Sequence, residues 1–210
     1  RYGWMYRTVD EHGEDAIARH FIWSELLACP SCRASVPLWD ACVHINPAHI
    51  SDRWNCNACG KPADLNATPR LSERGFDSLL QSESIGKARR LARVDGMTGR
   101  RHWARQPADH DLDLVARIQD EPLPKSVPLL PMMDKGGANW GDLWRAGYHE
   151  GITHVHQFYT RRNLIALGAL FDLVENEPKP VRDALKFWIS SYNSRDRKST
   201  RLNSSHGYIS

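Results

Sequence analysis

The feature that most constrains the fold is a pair of Cys-x-x-Cys motifs, CPSC at residues 29–32 and CNAC at residues 56–59. Each such turn presents two thiolates from one short loop, and two loops complete the tetrahedral four-sulfur set of structural zinc sites. The 23 residues between the motifs are enough to form a bridging hairpin. The spacing therefore predicts a zinc ribbon in which one structural Zn²⁺ is bound by Cys29, Cys32, Cys56 and Cys59.

Other interpretations of the cysteines explain less of the pattern. A redox site needs only one pair, and although Pro30 lies inside the first pair as in some redox motifs, the second pair is then unexplained. The fifth cysteine, Cys42, is expected to be a small buried residue, and His44 and His49 are expected on the surface. A closed four-thiolate site has no open coordination position, so we expect it to stabilise the fold and not to catalyse.

The chain shows no sign of membrane or secretory targeting. Its 210 residues allow one medium domain, or one domain with a small insert. No apolar run approaches the roughly 18 residues that span a bilayer, and no secretory signal is present, which predicts a cytoplasmic location and no membrane partner. The chain begins with Arg1 and not with Met, so we expect it to be an internal piece of a longer protein.

The segments before and after the ribbon are predicted to be mainly β-hairpins. Residues 1–28 are rich in aromatic and β-branched types, with a turn at Gly13, and lead into the ribbon at 29–60. Segment 61–140 begins with a polar stretch that is expected to be irregular up to Ser84. It continues with a basic hairpin whose turn is expected near Asp95, Gly96 and Gly99, a short helix with Leu112, Val115 and Ile118 on one face, and a proline-rich connector.

Segment 141–195 is predicted to be helical. Thr160 is a favourable N-cap for a helix through LIALGALFDLV, and Pro180 suits the first turn of a second helix. The predicted fold class is therefore an α+β fragment, in which β-hairpins and a four-Cys zinc ribbon are followed by two helices.

The last segment, 196–210, has no hydrophobic period and is predicted to be disordered. Its sequence DRKSTRLNSSH resembles the translation of a common sequencing adapter, so we expect the tail to be adapter-derived. The tail holds three basic residues and one acidic residue, and its exclusion lowers the net charge from +3 to +1. Net charge therefore gives no argument for or against a nucleic-acid partner.

A local run of cations does suggest such a partner. Cations that alternate with aromatic residues can follow a phosphate backbone and stack on bases, and His102 and Trp103 lie within this run. The alternative is a solvated face of a hairpin. The predicted DNA-contact residues are Lys87, Arg89, Arg90, Arg93, Arg100 and Arg101.

The order of motifs resembles that of adenine-specific DNA methylases that contain a zinc-ribbon module. YGWMYRT, the ribbon context IWSELLACPSC with VPLW, and CNACGK look like the hairpin and ribbon of that family. The run GDLWRAGYHEGITHVHQFYTRRNLIALGAL looks like the segment that follows the ribbon, where YTRRNL opens a helix. The resemblance extends over most of residues 1–193 and is weakest over 61–135.

The resemblance implies transfer of a methyl group from S-adenosylmethionine to the exocyclic amine of adenine in DNA. It also implies that the glycine-rich cofactor motif precedes this region and that the DPPY-type catalytic motif follows it. The two helices would then pack on a methyltransferase domain that the chain lacks, and the chain alone would be inactive. The alternatives are a non-catalytic zinc-ribbon module for nucleic-acid or protein contact, and an insert of another DNA-processing enzyme.

Overall fold

The structure is a computed structural model that describes residues 1–131 and 152–200, with side chains as far as residue 191. It is a mixed α+β fold built mainly from antiparallel hairpins, which confirms the predicted class at that level. The chain divides into two compact units. Arg1–Thr8 and Ala108–Thr200 form one unit, and the described part of the other is Val9–Pro107.

Within the described ranges, the strands are β1 (Arg7–Val9), β2 (Asp15–Ala28), β3 (Ser35–Pro37), β4 (Val43–Ile45), β5 (Ala48–Ile50), β6 (Arg53–Asn55), β7 (Pro62–Asp64), β8 (Ser72–Asp77), β9 (Ser82–Lys87), β10 (Arg89–Thr98) and β11 (Arg101–Arg105). The helices are α1 (Leu38–Cys42), α2 (Asp109–Asp120), α3 (Arg161–Val174) and α4 (Lys179–Thr200). Two short 3-10 helices cover Gly3–Tyr6 and Val155–Phe158. Of the described helices, none is both long and apolar enough to cross a membrane.

The main sheet has the order β1-β2-β10-β11, and β3 also pairs with β2. One face of it is buried by small side chains around one large ring, with Ala16, Ala18 and Val94 packed beside Trp103. The basic hairpin of β10 and β11 turns at Gly99, whose φ of 57° suits a two-residue hairpin loop.

The predicted turn position in this hairpin was only partly right. Asp95 and Gly96 lie inside β10, where Gly96 is paired with Trp103 on β11. Gly96 is required there for space, because a Cβ atom would overlap the Trp103 ring and approach the carbonyl oxygen of Ile17 to 2.5 Å. A glycine that leaves room for a cross-strand aromatic ring cannot be distinguished in sequence from a glycine that forms a turn.

The ribbon differs locally from its prediction. Between the two motifs, where the sequence predicts a bridging hairpin, the short helix α1 places Leu38 and Cys42 one helical turn apart in the core. The returning strand β6 pairs with β7, so the second cysteine loop is itself a hairpin turn. The ribbon core consists of Leu27, Cys29, Val36, Leu38, Cys42, Trp54, Cys56 and Leu65.

The stretch that was expected to be irregular up to Ser84 contains the antiparallel hairpin of β8 and β9. Five of the six residues of β8 are exposed, so neither face of the hairpin is buried against a core. Without a buried face there is no alternation of apolar and polar residues, and the usual sequence signal of a strand is missing.

The unit that contains α2, α3 and α4 also encloses a core of its own, around Met5, Ile118 and Ile165. Thr160 caps α3 as predicted, accepting a hydrogen bond from the backbone N–H of Asn163 (3.4 Å). Helix α4 begins at Lys179, one residue before the predicted start, and it continues into segment 196–210 as far as Thr200. Segments 132–151 and 201–210, with parts of the predicted connector, helical segment and tail, lie outside the described residues.

The buried side of α2 is rotated relative to the predicted face. Leu112 is 52% exposed, whereas Asp111 is fully buried with Ile118. The carboxylate of Asp111 accepts hydrogen bonds from the Thr8 hydroxyl (2.7 Å) and from the backbone N–H of Ala108 (2.9 Å). Because these bonds satisfy the carboxylate, an acidic residue can take the inner position that a hydrophobic pattern assigns to leucine.

A substitution at Gly96 tests the packing of the central sheet. We expect Gly96→Ala to lower the free energy of unfolding by about 1–3 kcal/mol, because the added methyl group displaces the Trp103 ring. Chemical denaturation of the two proteins measures the difference. Gly75→Ala is the matched control, since Gly75 lies in β8 with no atom within 4 Å of the new Cβ. Equal effects at the two positions would contradict the close packing at Gly96.

The turn between β1 and β2 is held by the buried carboxylate of Asp10. It accepts hydrogen bonds from the backbone N–H groups of His12 (2.8 Å) and Glu14 (3.0 Å), the Thr98 hydroxyl (2.8 Å) and the Arg101 guanidinium (2.5 Å). Burial opposes ionisation of Asp10, but these donors outweigh it and hold the pKa well below its usual range.

This shift predicts a pH-dependent contribution to stability. Since the folded-state pKa lies below the unfolded value of about 3.9, the carboxylate stabilises the fold above that pH, and the contribution is lost as pH falls. We expect Asp10→Asn to lower the Tm at pH 7, and the difference from the unmodified chain to shrink between about pH 5 and pH 2. Thermal denaturation across this range measures it, with the exposed Glu83→Gln as control. A difference that stays constant over the range would contradict the assignment.

Candidate metal centre

The four cysteines of the two motifs converge in space. Their sulfur atoms all lie within 4.8 Å of one another. The Sγ atoms of Cys29 and Cys59 are 3.8 Å apart, and those of Cys32 and Cys56 are 3.7 Å apart. A tetrahedron with Zn–S bonds of about 2.3 Å has edges of about 3.8 Å. The arrangement therefore fits four thiolates around one zinc ion.

The distances do not fit disulfides. All five cysteines are free, and a disulfide bond would bring two sulfur atoms to about 2.05 Å. Both of these contacts join one loop to the other, which is the pattern of a shared metal and not of two separate dithiol sites. Four sulfurs gathered from both loops account for both motifs, which a redox site does not.

The two cysteine loops repeat one backbone geometry. In the first, the N–H of Cys29 donates to the carbonyl of Ala34 (2.9 Å). In the second, the N–H of Cys56 donates to the carbonyl of Lys61 (3.0 Å), again five residues further on. In both loops the first cysteine is buried and the second is exposed. Two equivalent loops therefore supply two matched pairs of sulfur atoms, which together can occupy the four corners of a tetrahedral site.

Each loop then closes through a residue with positive φ. The N–H of Arg33 donates to the carbonyl of Cys29 (2.9 Å), and the N–H of Gly60 donates to that of Cys56 (2.7 Å). The φ angles of Arg33 and Gly60 are 64° and 70°. This left-handed conformation suits the glycine and is unfavourable for the arginine.

The electrostatics of the cluster favour a bound cation. Hydrogen bonds from the backbone N–H of Cys32, helped by that of Ser31, outweigh burial and lower the pKa of the Cys29 thiol to about 6. At Cys32 the N–H of Ala34 favours the thiolate, but burial and the neighbouring thiols outweigh it and raise the pKa to about 12. Four thiolates this close repel one another, and a divalent cation removes that repulsion.

The remaining residues near the ribbon stay outside the cluster. Cys42 is fully buried in the ribbon core, and burial raises the pKa of its thiol to about 11. His44 and His49 are exposed and stack on each other across the β4–β5 hairpin, with ring centroids 4.3 Å apart. Within the described ranges, the four cysteines are the one group of three or more His, Cys, Asp or Glu side chains that can hold a metal ion.

Most of the predicted DNA-contact cations are paired with acids. These partners lie on other strands, on the same strand or in the Asp10 turn, where sequence spacing does not reveal them. The pairs are Lys87 with Glu25 (3.2 Å), Arg90 with Glu73 (3.8 Å), Arg93 with Asp95 (2.6 Å), and Arg101 with Asp10 (2.5 Å) and Glu11. Ion pairing reduces the positive potential that the run would otherwise present.

Arg89 and Arg100 differ from the other four. Both are exposed, at opposite ends of β10 and its turn, and neither forms an ion pair within the described part of the chain. The structure thus leaves two of the six predicted cations available to an outside anion.

Glu25 was missed by the sequence reasoning, although it is buried and holds both Lys87 and Arg70 (3.5 Å). It lies within the apolar run IWSELLA, so the sequence around it gave no sign of an ion pair.

The YTRRNL motif also has a structural role. Arg162 packs over the ring of Tyr6 at 5.5 Å, and burial lowers the pKa of its guanidinium to about 10.

His154 and His156 do not form a metal pair with a third ligand in the described residues. Their ring centroids are 5.8 Å apart, and His156 is buried.

Comparison with known proteins adds no relative to this description. No protein-family model, no curated protein and no solved structure matches the chain. The class of site is therefore defined by its own geometry, which is a four-cysteine metal centre consistent with a zinc ribbon.

The centre predicts a definite metal content. Protein purified without chelator should contain about one zinc ion per chain, and the double variant Cys29→Ser/Cys56→Ser should lose it, because two of the four ligands are removed. Elemental analysis measures the stoichiometry. Cys42→Ser is the matched control, and it should retain the metal even if its stability falls. Full retention of zinc in the double variant would refute the ligand set.

Proposed function

We propose that this chain is a zinc-stabilised DNA-contact module of an S-adenosylmethionine-dependent, adenine-specific DNA methyltransferase. The observation that carries the proposal is the set of four sulfur atoms with the spacing of a tetrahedral zinc site. A closed Cys₄ site supplies rigidity and no chemistry, so the module serves binding and leaves methyl transfer to another part of the protein.

DNA contact is supported by the free cations of the basic hairpin. Arg89 and Arg100 are exposed without acidic partners in the described residues, and β10 holds them a strand's length apart. Two arginines about 30 Å apart can each meet a phosphate, several nucleotides from one another along the duplex, without reading base sequence. The module would hold DNA that flanks an adenine displaced from the base stack for methylation.

The assignment to a methylase is supported by the resemblance of YGWMYRT, the ribbon context and YTRRNL to that family. It implies that the cofactor and catalytic motifs are encoded on either side of this chain. Extending the reading frame tests this directly, since a glycine-rich strand–turn is expected upstream and a DPPY-like tetrapeptide downstream. An upstream frame without the first motif together with a downstream frame without the second would exclude the methylase.

The DNA contact predicts salt-dependent binding of the zinc-loaded chain to duplex DNA. We expect Arg89→Ala/Arg100→Ala to weaken binding and to reduce the slope of log K against log salt by about 1.8, because two phosphate contacts are lost. Fluorescence anisotropy with a labelled duplex at several salt concentrations measures both quantities. Lys179→Ala is the control, since this exposed lysine is already paired with Asp183. Unchanged affinity in the double variant would contradict a contact through this hairpin.

A further inference from the structure

Arg33 has a backbone conformation that its residue type disfavours. Its φ is 64°, whereas the equivalent position of the second cysteine loop is Gly60 with φ of 70°. The two loops have the same backbone hydrogen bonds, so Arg33 and Gly60 adopt the same backbone conformation. Glycine adopts this left-handed conformation without strain. An exposed arginine held in a strained conformation points to a role for its side chain outside the fold.

The surroundings of Arg33 are suited to an anionic partner. The two cysteine loops, 29–34 and 56–61, contain no acidic residue. Their exposed side chains include two cations, Arg33 and Lys61, and neither has an ion pair or hydrogen-bonded side-chain partner in the described residues. The loops therefore differ from the basic hairpin, where most of the cations are neutralised by nearby carboxylates.

The two loops also lie together. The sulfur atoms of Cys32 and Cys59, which immediately precede the two closing residues, belong to a cluster no more than 4.8 Å across. Arg33 follows the first of these cysteines directly, and Lys61 follows the second by two residues. The convergence of the two cysteine loops thus places two free cations, Arg33 and Lys61, at the same end of the ribbon.

We infer that the tips of the two cysteine loops form a second DNA-contact surface, in which Arg33 and Lys61 bind phosphates of the duplex backbone. This inference rests on the proposed function, because it names where the module holds DNA. Arginine suits a phosphate through its planar fork of donors, which explains its use at a position where glycine is conformationally better.

A competing role for Arg33 is purely local. Zinc with four thiolates carries a formal charge of −2, and two nearby cations would offset it. In that case loss of Arg33 would weaken zinc retention and leave DNA affinity unchanged. A role in folding would make stability and affinity fall together. The proposed role requires them to move in opposite directions.

Arg33→Gly in the zinc-loaded full chain separates these cases. We expect the Tm to rise by about 2–4 °C, because glycine relieves the strained conformation. We expect affinity for a labelled duplex to fall, with a salt slope smaller by about 0.9, because one phosphate contact is lost. Arg33→Lys, which keeps the charge and the strain, should retain the salt slope. Lys61→Ala should lower the slope as Arg33→Gly does, with little change in Tm.

The outcomes distinguish this inference from the proposed function. If Arg33→Gly binds DNA with the affinity and slope of the unmodified chain, the loop surface is refuted, while a contact through Arg89 and Arg100 still stands. A fall in both Tm and affinity would make Arg33 a structural residue and also refute the inference. If the unmodified zinc-loaded chain fails to bind duplex DNA, both proposals are overturned, and binding of single-stranded RNA alone would overturn both as well.

Discussion

The organisation of the ribbon depends on the convergence of four cysteine sulfurs from two loops. Two of these cysteines, Cys29 and Cys56, are also core residues, and they pack with Leu27 and Trp54. The metal site and the hydrophobic core therefore share side chains, so that binding of the metal also stabilises the packing of the core. For strands of only three residues, as in β6 and β7, such a link supplies stability that their own pairing lacks.

The long strand β2 connects the ribbon to the main sheet of the same unit. It ends at Ala28, immediately before the first metal-binding cysteine, and along its length it pairs with β10. The same strand contributes Ala16 and Ala18 to the core around Trp103, and Glu25 to the ion pairs with Lys87 and Arg70. The basic hairpin is thus anchored to the ribbon by backbone pairing and by a buried carboxylate. Any DNA contact through Arg89 would be made from a strand with a defined position in this sheet.

The sequence predicted those features whose determinants are local. The cysteine spacing predicted the four residues whose sulfur atoms converge, and Thr160 marked the start of α3. Features that depend on tertiary partners were missed. The pairing of Arg93 and Arg101 with acids, the packing of Gly96 under Trp103 and the exposed β8–β9 hairpin all follow from which strands meet. The left-handed conformation of Arg33 was also invisible, because the residue type argues against it.

In the proposed site, the four cysteines bind a single zinc ion and leave no coordination position open. X-ray absorption at the zinc edge of the purified chain tests it most directly, because it reports the number and type of ligands and their distances. A closed site predicts four sulfur neighbours at about 2.3 Å and no nitrogen or oxygen ligand. A first shell with nitrogen or oxygen at about 2.0–2.2 Å would contradict the closed four-thiolate centre on which the rest of the interpretation depends.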